Sequence, residues 1–178
     1  MKKLQLEALG RLNLDAYAQI KKLPIILVLD NIRSLHNVGA IFRTCDAFAI
    51  EAIYLCGLTG TPPNREIYKT ALGAELSVHW EYFPTTLEAI HKLIQHQFFI
   101  IALEQTTDSK SLLEMVFSSD QSYAFILGNE VDGVDETLLP ICNMALEIPQ
   151  FGTKHSFNVS VSAGIVLWEI AKQYFHSK

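Results

Sequence analysis

Three stretches of this chain carry polar residues at spacings that chemistry can use. The first runs Asp30-Asn31-Ile32-Arg33-Ser34-Leu35-His36-Asn37-Val38-Gly39-Ala40-Ile41-Phe42-Arg43. Asn37 can cap a helix whose apolar stripe is Val38, Ile41, Phe42, Cys45 and Ala49. Gly39 lies one turn before Arg43 on the same face. Helical side chains lean toward the N-terminus, so Arg43 is expected to lie over a position without a side chain, its guanidinium near the helix start. A fixed guanidinium can grip a phosphate or a developing oxyanion. The same residues also fit a plain capped helix with Arg43 solvated and paired to Asp46.

The second stretch is Phe125-Ile126-Leu127-Gly128-Asn129-Glu130-Val131-Asp132-Gly133-Val134. An apolar run enters two glycines, which permit positive φ and close backbone approach, and Glu130 stands just beyond the run. A Gly-rich turn with a solvated glutamate is the simpler reading. A calcium loop of the EF-hand kind is excluded, because aligning Gly133 with the turn glycine puts Gly128 and Leu139 where carboxylates are required. The third stretch runs from Ile148-Pro149-Gln150-Phe151-Gly152 through His155-Ser156-Phe157-Asn158 to Gly164-Ile165. Adjacent His155 and Ser156 do not make a hydrolase, since neighbouring side chains rarely face each other and no Gly-x-Ser-x-Gly elbow exists.

Positioning such residues needs a scaffold. Ile25–Leu29 is a continuous apolar run of the kind found in strands covered on both faces. Further strands are expected at Ala52–Cys56, Val78–Phe83, Phe98–Leu103, Tyr123–Leu127 and Met144–Ile148. Helical patterns fall at 38–49, 66–75, 85–96, 110–117, 135–141 and 158–175, and an amphipathic stretch at 4–20. The last of the helices, 158–175, is apolar all round, which predicts burial, partly against another subunit. Alternation of strand and helix predicts an α/β fold with a mainly parallel sheet and helices on both faces. Ligands of such sheets bind beyond the carboxyl ends of the strands, where all three stretches lie. Residues 1–24 read as a helical N-terminal extension and 25–178 as one domain.

Composition agrees. The 178 residues are 49% hydrophobic and 19% charged, a globular balance. No apolar run reaches membrane-spanning length and no secretory signal is present, so a cytoplasmic protein is expected. Cys45, Cys56 and Cys142 are far apart among apolar neighbours, which predicts buried thiols and no metal site. The net charge of −5 does not by itself suggest a nucleic acid, although Lys and Arg gather at 2–3, 21–22, 33, 43, 65, 69 and 154. A nucleotide- or flavin-binding protein is disfavoured, because Asp30–Asn37 contains no glycine.

Together the stretches resemble the three motifs of the SpoU (TrmH-type) RNA 2′-O-ribose methyltransferases of the SPOUT superfamily. Asn37-x-Gly39-x-x-x-Arg43 resembles the first, Leu127-Gly128-Asn129-Glu130-x-x-Gly133 the second, and Ser156-Phe157-Asn158-Val159-Ser160-Val161-Ser162-Ala163-Gly164-Ile165 the third. Ile148-Pro149 fits just upstream, and Phe157 stands where the family most often has Leu. The resemblance covers about residues 25–175. It implies a deep C-terminal trefoil knot, a homodimer with active sites near the subunit interface, and methyl transfer from S-adenosylmethionine to tRNA or rRNA. A non-catalytic RNA-binding module on the same fold is the alternative. By motif, Asn37, Arg43, Glu130, Ser156 and Asn158 would form the reaction centre. Leu103, Leu127, Gly128, Ile148, Pro149 and Phe157 would cradle the cofactor.

Overall fold

The apolar runs pair side by side into one sheet in a computed structural model that describes residues 1–5 and 10–176. The strands are β1 (Leu23–Asp30), β2 (Ile50–Cys56), β3 (Trp80–Phe83), β4 (Phe99–Leu103), β5 (Lys110–Ser111), β6 (Tyr123–Leu127) and β7 (Met144–Glu147). Their order across the sheet is β3-β2-β1-β6-β4-β7-β5, and every pairing is parallel. The register sets Leu29 beside Leu127, Leu127 beside Leu103, and Leu103 beside Leu146. The carboxyl ends of β1, β6, β4 and β7 therefore form one contiguous edge.

Among the described residues six α-helices surround the sheet: α1 (Leu14–Gln19), α2 (Leu35–Phe48), α3 (Arg65–Ala71), α4 (Ala74–Ser77), α5 (Thr86–Gln95) and α6 (Val159–His176). Alternate residues of β1 feed two cores, as the two-residue period of a strand requires. Ile25, Leu27 and Leu29 pack with residues of α2, α3 and α6, while Ile26 and Val28 pack with Ala89, Ile90 and Leu93 of α5. Helices thus cover both faces, and Ile25 through Leu29 are buried on both, which is why that run shows no alternation.

Several elements depart from the periodicity. The helix of 66–75 is two, α3 and α4, parted by left-handed Leu72 (φ 53°) and Gly73 (φ 94°). Residues 110–117 are not a helix: Lys110 and Ser111 pair with Leu146 and Glu147, and a 3₁₀ turn follows at Leu112–Glu114. Sheet pairing outweighs local preference there. Residues 135–141 form a 3₁₀ helix, Glu136–Ile141, that contains Pro140. Within the expected helix 4–20 only Leu14–Gln19 is helical, begun by the Asn13 side chain, and residues 6–9 lie outside the described part. The cysteines are free; Cys45 and Cys56 are buried as expected, whereas Cys142 is half-buried.

Helix α2 starts earlier than its stripe suggests. Ser34, not Asn37, is its N-cap, its hydroxyl accepting from the Asn37 amide at 3.3 Å. Gly39 likewise serves α3 rather than Arg43: a Cβ there would sit 2.2 Å from Thr70 Oγ1 and 2.3 Å from the Ile67 carbonyl oxygen. In a free helix Gly39→Ala would gain about 1 kcal/mol. Here the clash involves a backbone oxygen that no rotamer change can move, and overpacking of this kind costs about 1–3 kcal/mol. Gly39→Ala should therefore lower the thermal midpoint by several degrees, and an unchanged or higher midpoint would show that α2 and α3 can part freely.

Candidate active site

The segment after β6 is a closed loop. The Asn129 amide donates to the Gly133 carbonyl and the Gly133 amide to the Asn129 carbonyl, each at 3.1 Å. Asn129 Oδ1 accepts from the Val131 and Asp132 amides at 3.0 and 2.9 Å. Gly128 makes this possible, because a Cβ on it would lie 1.9 Å from the Gly133 carbonyl carbon. Glu130 is thereby carried toward the start of α2.

There it meets Asn37. The Asn37 Nδ2 donates to Glu130 Oε1 at 2.8 Å, and the Arg33 amide lies 3.4 Å from Oε2. The Asn37 Oδ1 in turn accepts from Asn158 Nδ2 at 3.1 Å. Asn158 sits just before α6, and its Oδ1 accepts from the Ser160 amide at 2.9 Å and from the Ser160 hydroxyl at 2.6 Å. Burial pushes the Glu130 carboxyl up, but the Asn37 side chain and the amides of Glu130, Arg33 and Ser34 outweigh it. The net shift is below the ordinary glutamate range. Glu130 is thus a firmly ionised acceptor.

Beyond the strand ends opens a cavity of about 490 Å³, of the size that small-molecule sites use. Leu103, Leu127 and Leu146 of three adjacent strands supply apolar wall, and Ile148, just past β7, and Phe157 add to it. Gly128, Glu130, Ser156 and Asn158 also line it, so nine residues singled out from sequence or register converge here. Asn37 stands behind the lip, bonded to two of the lining residues. Arg43 does not join them: it is exposed, lines no part of the cavity, and has no hydrogen bond or ion pair among the described residues. Pro149 does not line the cavity either, although Ile148 and Gln150 on its two sides do.

Sequence reading passed over Glu104 and Gln105, which directly follow β4 and line the cavity. Leu103 came from the family resemblance, and the general rule that ligands of such sheets bind beyond strand carboxyl ends reaches the two residues that follow it. Among the described residues no cluster of His, Cys, Asp or Glu could hold a metal ion, and no helix is long and apolar enough to cross a membrane.

A wholly parallel sheet with its cavity at the strand ends defines an α/β ligand-binding protein. The particular lineage is clear as well: the model of the SpoU rRNA Methylase family matches residues 24–168, and the chain belongs to that family. It is 33% identical to the 23S rRNA (guanosine-2′-O-)-methyltransferase RlmB of Neisseria meningitidis, over 89% of this chain and 62% of that protein. It is 30% identical to a tRNA (guanosine(18)-2′-O)-methyltransferase of Thermus thermophilus, over 84% of this chain and 75% of the relative. Among solved structures, the A. aeolicus TrmH/SpoU tRNA modifying enzyme superposes with a TM-score of 0.81 at 25% identity, covering 92% of this chain and 82% of that one. An AdoMet-bound rRNA methyltransferase from Sinorhizobium meliloti gives 0.78 at 25% identity, over 90% and 59%.

The Asn37–Glu130 contact is testable by titration. Asn37→Asp removes the donor and sets a second carboxylate beside Glu130, and such pairs force one proton on at higher pH. Carbon-detected NMR titration should show the Glu130 signal moving below the ordinary glutamate range in the wild type. In Asn37→Asp one carboxyl should titrate above it. Stability contributed by this depressed group is present above the ordinary value and lost only as pH falls through the lower, folded one. Identical titrations of the two proteins would remove the contact.

Proposed function

We propose that this chain transfers a methyl group from S-adenosylmethionine to a ribose 2′-hydroxyl of tRNA or rRNA. The observation that carries the reading is the Glu130–Asn37–Asn158 chain of hydrogen bonds at the lip of the strand-end cavity. It joins all three family motifs. The relatives' names supply the reaction class, and the chain spans 62% of the length of the Neisseria one.

The cavity suits the donor on chemical grounds. Leu103, Leu127 and Ile148 offer apolar surface and strand-end backbone groups to a flat base, and carboxylates on the rim suit a cationic ligand. Bound there, the donor supplies an electrophilic methyl on a sulfonium. The chemistry it would supply is a new C–O bond at the ribose oxygen in exchange for its C–S bond, and the hydroxyl proton would have to leave to an acceptor. Glu130 is a poor acceptor, because its hydrogen bonds hold it ionised. We assign it to fixing Asn37, so that Asn37, Asn158 and Ser156 orient the ribose while an RNA phosphate or water takes the proton.

Arg43 would grip the phosphate and stabilise the developing alkoxide. It lies six residues past Asn37, about 9 Å further along α2 and about 120° around it. From there it does not overhang its own chain's cavity. We therefore propose that it serves the cavity of a second copy in a homodimer. The outward face of α6 supports such a dimer, with Val161 47% and Trp168 61% exposed and seven residues apart. A trefoil knot is supported by β7, the last strand in the chain, lying between the earlier β4 and β5. A tRNA or rRNA substrate supports a cytoplasmic setting.

Labelled S-adenosylmethionine with separated tRNA and rRNA pools should yield a 2′-O-methylated ribose. A protein that binds RNA but never the donor would be the non-catalytic module instead. Arg43→Lys should lose most turnover, because the ammonium lacks the bidentate fork, and near wild-type turnover would remove that role. Mixing inactive Arg43→Ala and Asn158→Ala chains should restore about a quarter of wild-type activity, since half the dimers would hold one intact site of two. No recovery from the mixture would place Arg43 in the same chain's site.

A further inference from the structure

We propose that Glu104 and Gln105, at the end of β4, are positioning residues that grip the loop carrying Glu130 and the segment carrying Ser156–Asn158. This rests on the methyltransferase reading of the cavity and assigns roles to residues outside the three motifs. The Glu104 amide donates to the Leu146 carbonyl at 3.0 Å, which fixes it against β7. Its carboxylate then spans two loops' worth of backbone. Oε1 accepts from the Gln105 amide at 2.9 Å, and Oε2 accepts from the Val134 amide at 3.0 Å.

The second contact leaves no room for a side chain on Gly133 while the Glu104 carboxylate keeps its place, and the backbone there strains any side chain in its own right. Gly133 has φ 72°, and a Cβ on it would meet Glu104 Oε2 at 2.2 Å. Gly133 is also the residue whose carbonyl and amide close the loop onto Asn129. Glu104 therefore holds the base of the loop whose apex is Glu130, and through Glu130 the side chain of Asn37. No cation pairs with Glu104 among the described residues, so its oxygens are spent on backbone amides alone. The neighbouring Gln105 reaches the other way. Its Nε2 donates to the His155 carbonyl at 2.9 Å, an acceptor shared with Gln150 Nε2 at 3.0 Å. One dipeptide thus links both halves of the proposed site.

The role depends on reach and on an acceptor oxygen, not on charge. Glu104→Gln keeps the reach and one acceptor oxygen, which can face the Val134 amide while its NH2 gives up the Gln105 contact, and should hold kcat within about fivefold of wild type, the cost of losing one hydrogen bond. Glu104→Asp keeps the charge but is one methylene too short for Val134, and should fall with Glu104→Ala by about 100-fold in kcat. Gly133→Ala should show the same loss, and the Glu104→Ala/Gly133→Ala double variant should be no worse than the more damaged single. Gln105→Ala should be milder, because Gln150 still holds His155. Calorimetry with S-adenosylmethionine and thermal melting accompany each turnover measurement.

Wild-type protein that takes up no S-adenosylmethionine would defeat the methyltransferase reading itself. If it binds the donor and Glu104→Asp outperforms Glu104→Gln, charge is what matters and the positioning role is overturned. Wild-type turnover in folded Glu104→Ala would overturn it too. Should Glu104→Ala not fold, the Gln-over-Asp order decides the matter alone.

Discussion

One side-chain amide, that of Asn37, is where three distant parts of the chain meet. Its nitrogen donates to Glu130 and its oxygen accepts from Asn158, partners 93 and 121 residues away. An amide is the group for such a junction, because it offers a donor and an acceptor about 2 Å apart on one rigid plane. A carboxylate could not donate to Glu130, and an ammonium could not accept from Asn158. Everything else in the fold can be seen as holding those three residues within hydrogen-bonding reach.

The sheet does most of that work. Because β1, β6, β4 and β7 are adjacent and parallel, four chain segments leave the sheet at the same edge. Loops of a few residues then suffice to bring Asn37, Glu130 and Glu104 together. The buried Asp30 carboxylate braces the same edge. It accepts from Asn31 Nδ2 at 2.9 Å, from the Thr86 hydroxyl at 2.5 Å and from the Asp135 amide at 3.1 Å. A buried carboxylate is tolerable only when so surrounded by donors, and two of these three come from the starts of α5 and of the 3₁₀ helix after the Glu130 loop.

Much of this was readable in the residues, and the failures have physical causes. The core strands were visible because burial on both faces leaves unbroken apolar runs, and Tyr123–Leu127 matches its strand residue for residue. Gly128 and Gly133 signalled close approach, and the structure shows against what. Asn37 was mistaken for a helix cap because Asn at a helix start has two uses. Only the position of Ser34, three residues earlier, decides between them. Gly39 was given to Arg43 because periodicity describes one helix and cannot show α3 lying against it. Lys110–Ser111 was hidden for the reverse reason: two residues have no period, and they are a strand only because β7 lies beside them. The place of Glu104 at a strand's carboxyl end was legible, but its bracing role was not, because its partners are backbone amides, which leave no trace in side-chain patterns.

The acidic net charge poses a final question for any RNA-binding reading, and the distribution of charge answers it. Glu104, Glu130, Asp132 and Glu147 line the cavity, and among the described residues no Lys, Arg or His does. Such a cavity favours a cation and repels a phosphodiester, so an RNA backbone must be met outside it. Arg33, Arg43, Arg65, Lys69 and Lys154 are all exposed, and Arg33 directly adjoins the site through its amide contact with Glu130. Two ligands of opposite charge can then be held next to each other without competing for the same residues. The net charge of the chain sums these two regions, and for that reason it is uninformative about either.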